Sequence, residues 1–290
     1  MTEIIRNLDS ISQKYNVILC DLWGCLHDGK KTFPKALNAI KKSKYQGNKI
    51  ILLTNSPRTK KFVRKQISQI GILDNLYDDI VTSGDASLSV VEKKILGNKI
   101  FHIGPKRDIS FFSELKNQKE IERVDLNCAT GIVCTGLFDE INENPNDYFE
   151  ILNFSFKKKL KFLCVNPDIE VNFGNKKLWC AGSLAQLYLK MGGDVIFCGK
   201  PHQKIYNLAI EKISKKFNIF EKKILCIGDG LNTDIMGGIN QGYDTLFVCS
   251  GIHNNQIGIT NLSPKPEVKK LKKLFNERNL SPTMAIGYLH

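Results

Sequence analysis

The chain has no apolar run of about 18 residues, the length a membrane-crossing helix needs, so no span is expected. It also lacks any CxxC pair. Its nine cysteines (Cys20, Cys25, Cys128, Cys134, Cys164, Cys180, Cys198, Cys226 and Cys249) stand singly, most of them in apolar strand-like runs. That spacing argues against a zinc ribbon or a disulfide framework and points to reduced, buried thiols in a cytoplasmic protein. Five dispersed histidines argue against a transition-metal cluster. There is no internal repeat, no low-complexity linker and no signal-peptide pattern. Residues 1–8 read instead as an amphipathic helix with acidic character near its start. Nothing in the sequence fixes an oligomeric state.

What the chain has in excess is positive charge. Lys and Arg number 42 against 29 Asp and Glu, a net charge of +13. The runs at 157–159 and 269–273 are basic enough to hold phosphates non-specifically. Both fall on amphipathic helical patterns, and no helix-turn-helix, zinc-finger or aromatic RNA-binding signature accompanies them. Solvated helix faces are the simpler reading, with no specific nucleic-acid partner, and the same charge would speed encounter with small anionic substrates. A length of 290 residues, 42 % of them hydrophobic, supports two domains with buried cores.

Strand and helix patterns alternate along the chain, which implies a doubly wound α/β fold with a parallel sheet covered on both faces. Helical stretches at 34–46 and 58–71 follow the first two strands, and 79–84 supplies a short third. A second alternating set starts near residue 86, with strands near 99–104, 131–136 and 161–166 and helices near 109–118, 147–159 and 182–192. It reads as an inserted α/β domain over 86–195, and the core domain comprises 1–85 and 196–290. The core resumes through strands near 195–199, 223–228 and 244–249, and the apolar segment 283–288 could add an edge strand. Gly84, Gly192 and Gly193 at the two crossings suit a hinge.

Four strand ends carry the chemistry. Asp21 closes the run at 16–20, and the carboxyl end of a parallel strand is where ligands bind. Thr54, Asn55 and Ser56 close the run at 49–53. Lys200 follows 195–199, and Asp229 follows 223–228 with Asp234 five residues on. A carboxylate, a hydroxyl, an ammonium and a paired carboxylate suit metal-assisted phosphoryl transfer. Asp229 and Asp234 could simply cap the helix beginning near Leu231, and both readings can hold together because a helix N-terminus also favours anions.

This ordered set, from Asp21 to Asp234, resembles the haloacid dehalogenase superfamily, whose members are mostly phosphatases. The insert is similar to the cap of the class IIA members, which include nucleotide- and sugar-phosphate phosphatases. The resemblance implies a Rossmann-like core and a small phosphorylated substrate. It implies Asp21 as nucleophile and Thr54, with the turn through Asn55 and Ser56, as phosphate ligands. Lys200 would neutralise phosphate and nucleophile. Mg²⁺ would be held by Asp21, the main-chain carbonyl of Trp23, Asp229 and Asp234. A carboxylate nucleophile splits one hard displacement into two through an aspartyl-phosphate, and nearby positive charge makes attack on an anion feasible. In the cap, Asn166 and Asp168 are the candidates for substrate contact, though 166–168 could be a plain turn. The start of the helix near 182 is a second candidate, and Trp179 reads as core packing.

One position departs from the family pattern. A second Asp two residues after the nucleophile normally protonates the leaving group and later activates water; here that position is Trp23. General acid–base help is worth roughly 10²–10⁴ in rate. His27 or Asp28 could replace the carboxylate, or 28–29 could simply form a turn beside an exposed His27. The alternative to a phosphatase is a catalytically weakened relative that binds a phosphorylated ligand or has a non-enzymatic partner role.

Overall fold

The computed structural model describes residues 2–173, 176–217, 219, 222–260 and 264–290. The chain opens with β1 (Glu3–Ile4), α1 (Asp9–Ser12), β2 (Val17–Cys20), α2 (Pro34–Tyr45), β3 (Lys49–Thr54), α3 (Lys60–Gln69), β4 (Asp79–Thr82) and α4 (Ser83–Glu92). The inserted set follows. It contains β5 (Lys99–Ile103), β6 (Glu122–Arg123), β7 (Gly131–Cys134), α5 (Phe149–Lys157), β8 (Lys161–Cys164), β9 (Glu170–Phe173), β10 (Lys176–Trp179), α6 (Ala181–Lys190) and β11 (Val195–Phe197). The chain ends with α7 (Gln203–Lys216), β12 (Ile224–Gly228), α8 (Met236–Asn240), β13 (Asp244–Val248), α9 (Asn254–Ile257), α10 (Val268–Arg278) and β14 (Met284–Ile286).

Every residue of β2 and β12 is buried. Such unbroken apolar runs are what parallel strands need when helices cover both faces. They join a seven-stranded sheet in the order β1-β14-β13-β12-β2-β3-β4, all of whose pairings are parallel. A second, five-stranded parallel sheet runs β11-β8-β7-β5-β6, and β9 with β10 forms a separate antiparallel hairpin. This is the expected doubly wound α/β architecture with an inserted α/β unit. Helices α4 and α7 lie between the sheets. Val17, Leu19 and Leu53 of the first sheet share one buried cluster with Val133 and Leu163 of the second, through Val90, Ile205 and Ala209.

Several details differ from the sequence expectation. Residues 3–4 form β1, paired with β14, where an amphipathic helix was expected; Met1 lies outside the described residues. Segment 283–288 does supply a strand, but β14 is interior, between β13 and β1, because β1 covers its other edge. Val195–Phe197, expected to return to the core, pairs with β8 and completes the second sheet. An apolar run predicts a strand but not which sheet will receive it. Gly84, expected in a hinge, is a buried residue of α4, so that crossing is packed. Trp179, read as core, lies on the hairpin and is 37 % exposed. No helix among the described residues is long and apolar enough to cross a membrane.

Candidate active site

β2 lies between β12 and β3, and its ladder runs one residue past the strand. The Asp21 amide donates to the Ile227 carbonyl at 2.8 Å, which fixes Asp21 at the carboxyl edge of the sheet. β12 ends beside it and delivers Asp229, after which a single π-helical turn, Leu231–Ile235, carries Asp234. Such turns recur at functional sites.

Lys200 reaches this edge from the second sheet, three residues after β11. Its ammonium donates to Asp21 Oδ1 at 2.7 Å, Asp234 Oδ1 at 2.5 Å and the Leu53 carbonyl at 3.0 Å. All three of its protons are thus used, and the residue is 2 % exposed. Asn55 locks the lysine main chain, accepting from Lys200 N (2.7 Å) and donating to Lys200 O (3.1 Å). The same amide donates to Asp168 Oδ1 at 2.8 Å, which ties the cap to the core. Sequence reasoning gave Asn55 only a phosphate role. Its clamp on Lys200 joins residues 145 positions apart and leaves no local signal.

Burial and the neighbouring Asp234 push the Asp21 carboxyl well above its ordinary range, against the pull of Lys200. The same two causes raise Asp229 to about 7. Burial pulls the Lys200 ammonium down, but Asp21, Asp234 and Asp168 outweigh it and hold the proton firmly. Two buried carboxylates, Asp21 and Asp234, therefore share one ammonium with the buried Asp229 beside them, and a cation would relieve the excess negative charge. Ligand atoms of Asp21, Asp229 and Cys25 lie within 4.8 Å of one another. Burial keeps the Cys25 thiol protonated, so the two carboxylates are the hard donors, and hard oxygens suit Mg²⁺. Gly24 makes this approach possible: its φ is +78°, and a β-carbon there would lie 2.0 Å from Asp229 Oδ2. The Ile252 amide holds the same oxygen at 2.8 Å.

A cavity of about 200 Å³ opens at this edge, lined by Asp21, Lys200, Asp229 and Asp234 together with Trp23, Asp28, Phe33, Asp168, Glu170, Ile252 and others. Thr54, Asn55, Ser56 and Asn166 are not among its lining residues. Thr54 Oγ1 accepts from Ser56 N at 3.2 Å, and Asn166 Oδ1 accepts from Asp168 N at 3.1 Å. These side chains shape the turns that carry their neighbours. Of the two possible replacements for the missing acid, Asp28 lines the cavity and His27 does not. His27 is 1 % exposed rather than solvated, and burial lowers its pKa to about 4. The Trp23 ring packs edge-on to His27, with centroids 5.1 Å apart, and against Phe173 of β9 at 6.2 Å. A larger cavity of about 290 Å³ near Lys60, Arg64 and Asp79 is lined by ion-paired side chains and none of the motif residues.

Residues 18–118 match the model of the haloacid dehalogenase-like hydrolases, and 197–274 match a second, HAD-hydrolase-like model. The crystal structure of a haloacid dehalogenase-like hydrolase from Brucella suis is 35 % identical, superposes with a TM-score of 0.86, and is covered over 99 % of this chain and 100 % of its own. The chain belongs to the haloacid dehalogenase-like hydrolases. A possible sugar phosphatase of this superfamily from Cytophaga hutchinsonii has the same fold at 20 % identity and a TM-score of 0.76, with both chains fully covered. The acid sugar phosphatase of Staphylococcus aureus is 23 % identical over 272 residues, 91 % of this chain and 98 % of that protein. In this haloacid dehalogenase-like hydrolase, the carboxylate, lysine and acidic motifs named from the sequence meet at one sheet edge, and Trp23 faces the same cavity.

Proposed function

We propose that this chain is an Mg²⁺-dependent phosphatase of a small phosphorylated metabolite, with Asp21 as its nucleophile. The observation that carries the reading is the buried Lys200 ammonium, shared between Asp21 and Asp234 beside Asp229. Asp21 Oδ attacks phosphorus, an aspartyl-phosphate forms, and the leaving oxygen departs with the bonding pair. Lys200 offsets charge on Asp21 and on the phosphoryl group, and Asp234 keeps Lys200 in place. Mg²⁺, held by Asp21, Asp229 and the Trp23 carbonyl, would neutralise charge spread over the phosphoryl oxygens. The cap restricts access, so Asp168 contributes to substrate choice. Relatives named as sugar phosphatases favour a small phosphate ester, and nine free thiols favour a cytoplasmic setting.

Trp23 favours a second reading, a weakened relative that binds without turnover, since indole cannot protonate an alkoxide. A phosphometabolite panel separates the two. Mg²⁺-dependent phosphate release, abolished by EDTA and by Asp21→Asn, is expected. Retention of more than about a hundredth of wild-type activity in Asp21→Asn would exclude covalent attack by this residue. Saturable ligand binding with no phosphate release would select the second reading.

A further inference from the structure

We propose that Asp28 is the base that activates water for release of the phosphoryl group from Asp21, a duty the indole at position 23 cannot perform. The proposal rests on the phosphatase reading above. Asp28 lines the same cavity as Asp21. Its Oδ1 is occupied, accepting from Lys30 N at 3.0 Å and Lys31 N at 2.9 Å. Those two bonds close a turn and orient the carboxylate. Oδ2 makes no hydrogen bond to the described residues and is free to receive a proton.

Trp23 itself braces this turn. Gly29 has a φ of +87°, and a β-carbon there would lie 2.6 Å from Trp23 Cζ2 and 2.8 Å from Phe173 Cδ2. The residue after Asp28 is thus pressed between the tryptophan and the cap strand β9. His27 takes part only as support: its Nδ1 accepts from Gly29 N at 2.9 Å. The side chain that displaced the usual carboxylate holds a substitute carboxylate beside the cavity.

The polarity of the group fits a base better than an acid. Burial pulls the Asp28 carboxyl up, but the Lys31 and Lys30 amides outweigh it and keep it below the ordinary range, so it is ionised at neutral pH. It therefore has no proton for the leaving group in the first step. In the second, Asp28 takes a proton from water as the water oxygen bonds to phosphorus. The bond from phosphorus to the Asp21 oxygen breaks, which restores the Asp21 carboxylate and releases inorganic phosphate. The proton then passes from Asp28 to solvent.

Asp28→Asn tests this with little change of structure, because the amide oxygen can still accept from Lys30 and Lys31. Rapid-quench kinetics with p-nitrophenyl phosphate and Mg²⁺ should show one equivalent of p-nitrophenolate per site at the wild-type rate. Steady-state turnover should then be slower by roughly 10²–10⁴, with phosphate trapped on Asp21 in acid-quenched protein. Asp28→Ser, which can also close the turn, should behave alike. Steady-state turnover within twofold of wild type, or a first step slowed as much as turnover, overturns the assignment. Wild type that releases no p-nitrophenolate and acquires no phosphate on Asp21 refutes the phosphatase reading itself; active wild type with unchanged Asp28→Asn refutes the role of Asp28 alone.

Discussion

Metal should stabilise this protein more at alkaline than at acidic pH, because its acidic cluster is costly to ionise without a cation. Asp229 is 9 % exposed, and its carboxyl rises from the ordinary 3.8 to about 7 in the metal-free protein. A group whose pKa is raised by folding contributes its full stability below its unfolded value and loses it as pH rises through the folded one. Between about pH 4 and pH 7 the folded metal-free protein binds the extra proton, so its stability falls across that window. A rise of about three pKa units at 1.36 kcal/mol each gives about 4 kcal/mol from Asp229. Asp21 acts in the same direction. About 3 kcal/mol of this falls between pH 4.5 and pH 8, so at roughly 2 °C per kcal/mol for a chain of this size the metal-free Tm should drop by about 6 °C across that range on this account. Mg²⁺ needs the carboxylates ionised, so protons compete with it at low pH and not at high pH. Differential scanning fluorimetry with EDTA or with 10 mM Mg²⁺, at pH 5 and pH 8, reads the effect directly. Asp229→Asn should flatten the metal-free pH dependence and remove most of the Mg²⁺ shift. An Mg²⁺ shift as large at pH 5 as at pH 8 would refute the reasoning, as would a metal-free Tm that climbs with pH through this window.

Without a protonated group at position 23, departure of the leaving oxygen depends on its own basicity. Aryl and acyl phosphates should be preferred to alkyl ones, and Trp23→Asp should flatten the leaving-group dependence of the first step; an unchanged slope would assign the acid elsewhere. Gly24→Ala should raise the Mg²⁺ concentration for half-maximal activity by about tenfold or more, because the new β-carbon would displace Asp229 Oδ2; an unchanged Mg²⁺ requirement would count against Asp229 as a ligand. Asp168→Ala removes the acceptor of the Asn55 amide and should cost about 1.5–3 kcal/mol in urea unfolding. It should also shift preference among sugar phosphates more than it changes activity on p-nitrophenyl phosphate, and equal losses on both would argue against a specificity role.

The sequence by itself determined the strands whose ends carry chemistry. Apolar runs at 17–20, 49–54 and 224–228 stop at Asp21, Thr54 and Asp229, and each became a parallel strand with its candidate residue at or just past its end. Burial on both faces demands such runs, so the pattern is written locally. The helices α2, α3, α5 and α6 were legible for a similar reason, their periodicity being a property of short windows. Partnership was not legible. Only the folded chain decided that Asp234 grips Lys200, that Asn55 spends its amide on Lys200 and Asp168, and that His27 is buried while Asp28 faces the cavity. Only the folded chain gave β11 to the second sheet and placed β14 inside the first. Each of these depends on which distant segment arrives alongside, and a residue's own neighbours in sequence carry no record of that.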